Sequence, residues 1–440
     1  MLSRLTPSQR AAAISVAPHS LVLAGPGSGK TSTIVARGIH LLNSAPAYRI
    51  GIVTFTRSAA TELWQRLINE EVDTTRVAVG TFHNLSLRLI AGSGSRISAK
   101  DLILEKEQEL FLRSAMARGS WTRSYEDARR ALELHGATLS TPFTPEQREL
   151  IANYDNLLQT VGKFDFPHLI RRVVMDTSVA PLRAHHLLVD EAQDIDDLQL
   201  EWILRHARCG LHTTLVADDD QSVYGFRYAL GVEGLRRYEC ALAPTQRFVL
   251  ENNFRCGSEI VRVSQALIQH DPQRIPKTVI CSSGLTGSVE AYDAQNEEEE
   301  LTRCALATKP SPGQWAILAR TNLELSRLEL ALSQRAIPYY RDDDSDIWNS
   351  GLGAALLALL RSLIESSAIS ELQRAMIDLR IIMIDDPPDF PNDPMAEDCW
   401  RSWIDSHPEL RTLQEGQHAA LLALPARWRL WSRDHRDKTK

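Results

Sequence analysis

The chain contains 440 residues, of which 43% are hydrophobic, and carries a formal net charge of −7 at pH 7. This length and composition predict two to four domains or subdomains, and the acidic balance excludes a histone-like polycation. The six cysteines form no Cys-x-x-Cys pair, and no apolar run reaches the roughly 18 residues of a membrane span. We therefore expect reduced thiols, a cytoplasmic location and no membrane association.

The most informative segment follows an apolar run at residues 21–23. It reads Ala24-Gly25-Pro26-Gly27-Ser28-Gly29-Lys30-Thr31-Ser32, which has the spacing of a phosphate-binding loop. Glycines allow backbone N–H groups to converge on phosphate oxygens, and the helix that follows offers its positive N-terminal end. We expect Lys30 to reach the β- and γ-phosphates of ATP and Thr31 to ligate Mg²⁺. A glycine-rich turn that matches by chance is the alternative, and the order of strand, loop and helix argues against it.

Strands and helices alternate along much of the chain. Apolar runs predict strands at residues 50–55, 77–79, 186–189 and 213–216, and a weaker one at 247–250. Amphipathic helices lie between the first of these strands, and this alternation is typical of an α/β fold with a parallel sheet. Residues of about 90 to 165 are charged and helical and predict an insertion, whereas a second α/β unit begins after Cys256, with residues 315–318 as its clearest strand.

Two adjacent carboxylates, Asp190 and Glu191, follow the apolar strand at residues 186–189. An open parallel sheet places its ligand site at this end of its strands. Asp190 is the candidate for the second Mg²⁺ contact, and Glu191 is the candidate general base that polarises the attacking water. The alternative is an acidic cap at a helix N-terminus, which the upstream phosphate loop disfavours.

A third polar segment, residues 218–227, follows the next strand and holds carboxylates, a glutamine, two aromatic residues and an arginine. Gln221 could sense the γ-phosphate. Tyr224 and Phe226 could stack on bases, at about 1–3 kcal/mol each. Taken alone, the two rings would more often be ordinary core aromatics.

Residues 5–340 resemble the UvrD/Rep/PcrA group of superfamily 1A DNA helicases, whose motifs occur here in the same order. The resemblance implies that Gln9, in Leu5-Thr6-Pro7-Ser8-Gln9-Arg10, reads the adenine edge and that Arg37 contacts the nucleotide. In Leu250-Glu251-Asn252-Asn253-Phe254-Arg255, it implies that Phe254 stacks on adenine and that Arg255 reaches the γ-phosphate as an arginine finger. The implied ATP-binding set is Gln9, Ala24, Gly25, Pro26, Gly27, Ser28, Gly29, Lys30, Thr31, Ser32, Arg37 and Phe254, with Lys30, Glu191, Gln221 and Arg255 in catalysis.

Three segments resemble the DNA-contacting motifs of the family. The resemblance implies that Phe55 contacts a base and that Arg57 also belongs to the DNA-binding set. Arg57 is the first residue of an Arg-Ser dipeptide, at a position where the family more often carries Asn-Lys. His83, in Gly80-Thr81-Phe82-His83, is expected near the DNA backbone. Tyr224 and Phe226 belong to the third segment, in which Phe226 stands where tryptophan is usual. The register of Phe55 and His83 with the other motifs favours DNA contact over a purely structural role.

The resemblance also implies the domain layout. Residues 1–89 and 166–250 are expected to form a first RecA-like P-loop NTPase domain with a parallel sheet, and residues 90–165 a helical insertion. Residues 251–365 would form part of a second RecA-like domain, which includes a helix at 347–364. The resemblance fades from about residue 365, and residues 366–440 are expected to form a helical C-terminal region.

Two stretches typical of the family are not recognisable in this sequence. They are Thr-x-His-x-x-Lys-Gly-Leu-Glu, motif V, and Tyr-Val-Ala-x-Thr-Arg, motif VI, which carries a second arginine finger. Loss of such a finger costs on the order of 10³ to 10⁵ in rate. Our hypothesis is therefore that the chain binds ATP-Mg²⁺ and single-stranded DNA but is a weak motor alone, or that a partner chain completes it.

The function that these features predict is an ATP-dependent DNA helicase or helicase-like, DNA-stimulated ATPase. Its DNA would be single-stranded or partially duplex, and the resemblance implies 3′ to 5′ movement, in DNA repair, mobile-element transfer or phage defence. One alternative is an ATP-binding and DNA-binding regulatory subunit with little motor activity, which works with a protein partner such as a nuclease. Another is a truncated remnant without independent activity.

Overall fold

The computed structural model describes residues 2–94, 98–139, 141–308 and 315–341. The chain divides into two compact units, Met1–Glu290 and Ala291–Lys440. Residues 251–290, which the sequence assigns to a second domain, thus belong to the first unit. The predicted helix at 347–364 and the predicted C-terminal region at 366–440 lie outside the described residues.

The first unit is built on a six-stranded parallel sheet. Its strands are β1 (His19–Ala24), β2 (Ile50–Thr54), β3 (Val77–Thr81), β4 (His186–Val189), β5 (His212–Ala217) and β6 (Gln246–Leu250). The order across the sheet is β3-β2-β4-β5-β1-β6, and in register Leu21 of β1 lies beside Leu215 of β5 and Arg247 of β6. This topology confirms the predicted α/β class with a parallel sheet. It brings the carboxyl ends of β1, β4 and β5, which precede the three predicted site segments, to neighbouring positions on one edge.

The strands are apolar on both faces because helices cover both faces of the sheet. In β1, Leu21 and Leu23 pack on one side with the fully buried Trp202, whereas Val22 and Ala24 pack on the other side with Ile34. The covering helices of this part are α1 (Pro7–Ile14), α2 (Lys30–Ser44), α3 (Arg57–Asn69), α4 (Phe82–Gly92), α8 (Phe166–Met175), α9 (Asp197–Arg208) and α10 (Val232–Ala241). Their limits follow the local sequence, since threonines 6, 56 and 81 cap α1, α3 and α4.

Three helices occupy the range predicted to be an insertion. They are α5 (Glu105–Arg118), α6 (Tyr125–Ala137) and α7 (Pro145–Thr160). They have an apolar core of their own, which includes Leu112, Leu132, Leu150 and the fully buried Tyr154. A separate core explains how a helical segment between α4 and α8 folds beside the sheet.

The rest of the first unit follows β6. A short parallel pair, β7 (Asn252–Asn253) and β8 (Ile280–Cys281), flanks helix α11 (Ser258–Ile268). The second unit contains α12 (Glu297–Thr308) and α13 (Asn322–Gln334), which pack through Ala305, Leu328 and Leu332. The strand predicted at residues 315–318 is wrong, because no described strand pairs with this irregular segment. Among the described residues, no helix has the length and apolar character needed to cross a bilayer.

Candidate nucleotide and nucleic-acid site

The loop between β1 and α2 has the backbone of a phosphate-binding loop. Gly27 and Gly29 have φ angles of 63° and 78°, in the left-handed region that favours glycine. A Cβ atom on Gly27 would lie 2.7 Å from Cβ of Arg255, so the loop also needs glycine there for space. Helix α2 begins at Lys30, and its first N–H groups therefore face the loop, where they can receive an anion.

Gln9, on helix α1, lies on this loop. Its Nε2 donates to the carbonyl oxygen of Ser28 at 2.8 Å, and its Oε1 accepts from the N–H of Thr6 at 2.9 Å. The side chain is buried, and it contributes to the cap that starts α1. The contact joins α1 to the phosphate loop, while the adenine-reading role of Gln9 stays a prediction.

Lys30 is held by carboxylates from two neighbouring strands. Its Nζ lies 3.2 Å from Oε2 of Glu191, which follows β4, and 4.0 Å from Oδ2 of Asp218, which follows β5. Glu191 has a φ of 51°, a left-handed conformation that is uncommon for a residue with a side chain. Three segments that are far apart in the sequence thus place their charges at one point.

Asp190 and Thr31, the predicted magnesium ligands, suit a hard cation. Asp190 is buried, and no lysine or arginine among the described residues pairs with it. Burial, with a smaller contribution from the neighbouring Glu191, raises the pKa of Asp190 to about 7. A buried carboxylate of this kind is stabilised in its charged form by a divalent ion, and the half-buried hydroxyl of Thr31 is a second oxygen ligand of the type that Mg²⁺ prefers.

Two glutamines bond to the groups at the ends of β4 and β5, and one of them, Gln193, connects the two strand ends. Gln221, the predicted γ-phosphate sensor, donates from Nε2 to Oδ2 of Asp218 at 2.7 Å. Gln193, which the sequence analysis did not single out, donates to Oε2 of Glu191 at 2.9 Å and accepts from the N–H of Asp218 at 3.0 Å. The carboxylates that surround Lys30 are therefore linked by a continuous hydrogen-bond network.

The segment that carries Phe254 and Arg255 lies against the phosphate loop. The N–H of Phe254 donates to the carbonyl oxygen of Gly27 at 3.0 Å, and Nδ2 of Asn253 donates to that of Pro26 at 2.8 Å. Oδ1 of Asn253 accepts from the N–H of Arg255 at 2.9 Å. The side chains of Phe254 and Arg255 are exposed, and Arg255 forms no ion pair with another described residue. Sequence reasoning missed Asn253, whose role depends on a contact with a distant loop.

Arg37, a predicted nucleotide contact, has a structural role in the fold. This residue is almost completely buried in α2, and it donates from Nε to Oγ1 of Thr214 at 2.8 Å. Its Nη1 donates to the carbonyl oxygens of Ala12 and Ser15, at 2.9 Å and 3.1 Å. Arg37 thus attaches the end of α1 to the sheet. Its predicted contact with the nucleotide stays a prediction, although protein groups bond to two of the three guanidinium nitrogens.

The predicted stacking residues Phe55, Tyr224 and Phe226 form one cluster. The rings of Phe55 and Tyr224 are stacked, with centroids 5.4 Å apart, and those of Tyr224 and Phe226 are 5.9 Å apart. The guanidinium of Arg227 lies 5.8 Å and 5.7 Å from the centroids of Tyr224 and Phe226. Phe226 is 65% exposed, so this cluster is no ordinary hydrophobic core.

A groove of about 790 Å³ contains Phe55 together with Arg57 and His83. The ring of His83 meets that of Phe166 edge to face at 5.2 Å, and burial lowers the pKa of His83 to about 4. His83 is therefore neutral at pH 7 and would meet a phosphate by a hydrogen bond rather than as a cation. Sequence reasoning missed three residues with nucleic-acid-binding chemistry that also line the groove, namely Trp64, Arg88 and Phe166.

Comparisons with known proteins agree with this geometry. Residues 5–232 match the family model described as the UvrD/REP helicase N-terminal domain. Residues 248–384 match that of the UvrD-like helicase C-terminal domain, which extends beyond residue 365, where the resemblance was expected to fade.

Several curated proteins are similar to the chain. DNA helicase II of Salmonella typhimurium is 30% identical over 373 residues, which are 77% of this chain and 51% of the relative. The ATP-dependent DNA helicase Rep of Escherichia coli is 28% identical over 402 residues, which are 82% of this chain and 58% of the relative. The chain spans about half the length of the curated relatives it matches.

Proposed function

Because the chain belongs to the UvrD/Rep helicase family, we propose that it binds ATP with Mg²⁺ and single-stranded DNA and hydrolyses ATP in response to DNA. A protein with these properties would be an ATP-dependent DNA helicase or a helicase-like ATPase. The observation that carries the proposal is the position of Lys30, 3.2 Å from Glu191 at the start of a helix that follows a phosphate-binding loop. The match to helicase domains over most of the chain supports the same reaction.

The Lys30–Glu191 pair suggests how binding of ATP would release Glu191 for catalysis. When the β- and γ-phosphates enter the loop, they compete with Glu191 for Lys30. Glu191 is then free to orient the attacking water, and its side chain, 37% exposed, can reach solvent. Asp190 and Thr31 would hold Mg²⁺, which would neutralise the charge that develops on the phosphates during hydrolysis.

Gln221, Phe254 and Arg255 would complete the ATP site. Gln221 lies one hydrogen bond from Asp218, beside Lys30, where the γ-phosphate is expected. The exposed side chains of Phe254 and Arg255 start from backbone that is bonded to the loop. We assign Phe254 to stacking on adenine and Arg255 to the γ-phosphate, as the family resemblance implies.

DNA would bind on the aromatic cluster and continue into the groove. Successive bases gain about 1–3 kcal/mol each by stacking on rings such as Phe226 and Tyr224. Arg57 would neutralise backbone charge, and the neutral His83 would donate a hydrogen bond to it. The substrate would be single-stranded or partially duplex DNA, along which the protein would move from 3′ to 5′. It would act in DNA repair, mobile-element transfer or phage defence, together with a protein partner.

The test is an ATPase assay of the 440-residue chain, with and without single-stranded DNA. We expect DNA to stimulate turnover, and Lys30→Ala to abolish that turnover because the phosphates lose their cation. Arg118→Ala is the control, because Arg118 is an exposed cation on α5 of the insertion and does not line the groove, and it should retain the wild-type rate.

The same assay separates the alternatives. Binding of ATP and DNA by a well-folded chain without turnover would contradict the proposal and favour the regulatory subunit. Partial duplexes with a 3′ or a 5′ overhang then test unwinding and its direction, since only the 3′ overhang should support it.

A further inference from the structure

Lys277 is an unusual residue because its ammonium group is buried among three consecutive carboxylates. Its Nζ lies 3.1 Å from Oδ1 of Asp218 and 3.0 Å from Oδ2 of Asp220, and it also bonds to Oδ1 of Asp219. The side chain of Lys277 is 1% exposed. No motif of the sequence analysis includes it.

The same short segment makes two further contacts with these carboxylates. Arg274 forms a bidentate pair with Asp220, with both distances 3.0 Å, and the N–H of Ile275 donates to Oδ2 of Asp219 at 2.7 Å. Burial lowers the pKa of Lys277, but attraction to Asp218 and hydrogen bonds to its two neighbours outweigh it, so the pKa lies above its ordinary value. Lys277 is therefore a permanent cation at physiological pH.

Asp218 is the carboxylate through which Lys277 reaches the ATP site. One oxygen, Oδ1, faces Lys277, whereas the other, Oδ2, accepts from Gln221 and lies 4.0 Å from Nζ of Lys30. If Lys277 were absent, the negative charge of Asp218 would act on Lys30 and Gln221 alone. Lys277 thus leaves Lys30 free for phosphate and fixes the acceptor that orients Gln221.

The residues that follow Lys277 in the sequence contact the phosphate loop and pair with the segment that carries Arg255. Two residues after Lys277, Val279 packs on the phosphate loop, since a Cβ atom on Gly25 would lie 2.8 Å from Cγ2 of Val279. The strand β8 follows at once, and it pairs Cys281 with Asn253. Lys277 therefore joins the loop after β5 to the backbone that holds Arg255.

The loop after β5 has one end fixed by Lys277 and the other end formed by the aromatic cluster. Residues 218–220 bond to Lys277, and Tyr224 and Phe226 lie four to six residues beyond residue 220. Gln221 lies between the two ends. Any displacement of the aromatic end by a stacked base must therefore be absorbed near Gln221.

We propose that Lys277 is a positioning residue that ties Gln221, through Asp218, to the Arg255 segment and so couples DNA on the aromatic cluster to ATP turnover. This inference rests on the proposed function. It assigns Lys277 no contact with ATP or DNA, and its effect passes through Asp218.

The measurement is the ratio of DNA-stimulated to basal kcat, because this ratio does not depend on the fraction of protein that is folded. We expect Lys277→Met to lower the ratio, measured at saturating ATP, at least tenfold, while the Kd for single-stranded DNA changes less than threefold. The KM for ATP should rise, because Asp218 then competes with phosphate for Lys30. Arg274→Met is the matched control: it removes a half-buried cation from the same segment but leaves the Lys277–Asp218 pair intact. It should keep the ratio within threefold of wild type.

A second variant guards against misfolding. Lys277→Met leaves carboxylates buried without their cation, a costly change, so Lys277→Met with Asp219→Asn removes one negative charge as well. The amide oxygen that Asp219→Asn introduces can still accept from the N–H of Ile275. A folded double variant, checked by thermal unfolding, should show the same loss of the ratio.

An unchanged ratio in the folded double variant, or an equal loss in Arg274→Met, would overturn the role of Lys277. Either result leaves the proposed function intact, provided that DNA stimulates the wild-type chain. A wild-type chain that DNA does not stimulate would instead contradict the proposed function, and the inference with it.

Discussion

The buried Arg37 allows a test between two roles, namely contact with ATP, which the family resemblance implies, and attachment of α1, which the structure indicates. Replacing it with methionine keeps a side chain of similar length but removes the hydrogen bonds to Thr214, Ala12 and Ser15. If Arg37 contacted ATP, the variant would bind ATP poorly. If Arg37 attaches α1, as its burial indicates, the variant would mainly lose stability.

The expected loss follows from two opposing contributions. The three shorter hydrogen bonds of this charged donor contribute about 2 kcal/mol each, and the fourth, to Ala13, is longer and is left out of the sum. Burial lowers the pKa of Arg37 to about 10, with weaker opposing contributions from two tyrosines, which corresponds to a desolvation cost of about 3 kcal/mol. We therefore expect Arg37→Met to lower the free energy of unfolding by about 3 kcal/mol.

Urea unfolding measures this stability, and ATPase assays at temperatures well below the transition measure the KM for ATP. We expect the KM of Arg37→Met to stay within threefold of wild type, because the separate contact of Gln9 with Ser28 still holds α1 on the phosphate loop. Gln9→Ala is the positive control for a raised KM. An Arg37→Met protein of wild-type stability with a tenfold higher KM would refute the reasoning.

Two further predictions concern DNA affinity and pH. Phe226→Ala should weaken binding of single-stranded DNA about tenfold, since stacking contributes about 1–3 kcal/mol. Leu110→Ala is the control, because Leu110 is equally exposed, and it should bind DNA as the wild type does. Equal Kd values for Phe226→Ala and the wild type would exclude Phe226 from the DNA path. Burial lowers the pKa of His168, but its bonds to Asp155 and Asp165 raise it overall to about 10. Charged His168 therefore stabilises the fold fully below about pH 6.5, and this stabilisation is lost as the pH rises towards 10. The quantity to measure is the free energy of unfolding of the wild type minus that of His168→Gln. This difference should fall by up to about 1.4 kcal/mol per pH unit between about pH 7 and 9.5. A constant difference would contradict the charged pair.

Much of the site was predictable because it depends on local sequence. Gly27 and Gly29 need left-handed backbone, and Lys30 starts a helix, so the spacing of these residues already specifies the phosphate loop. Asp190 and Asp218 each follow an apolar strand, and a parallel sheet necessarily brings such strand ends to one edge.

Other roles depend on partners that no local pattern reveals. Lys277 lies 58 residues from Asp219, and only the fold shows that a lysine in an unremarkable segment contacts three consecutive aspartates. His83 has a motif position that favours DNA contact, but its burial beside Phe166 determines that it is neutral. In each case the environment, and not the residue type, decides the charge and the contacts.

The sequence by itself determined the family, the α/β class and the position of Lys30 at the head of the phosphate loop, because these depend on spacing and on the order of elements. Only the tertiary structure decided that Arg37 supports α1 and that Lys277 supports the loop after β5. The physical reason is burial: a cation removed from water must bond to whatever the fold places around it, and those partners come from distant parts of the chain.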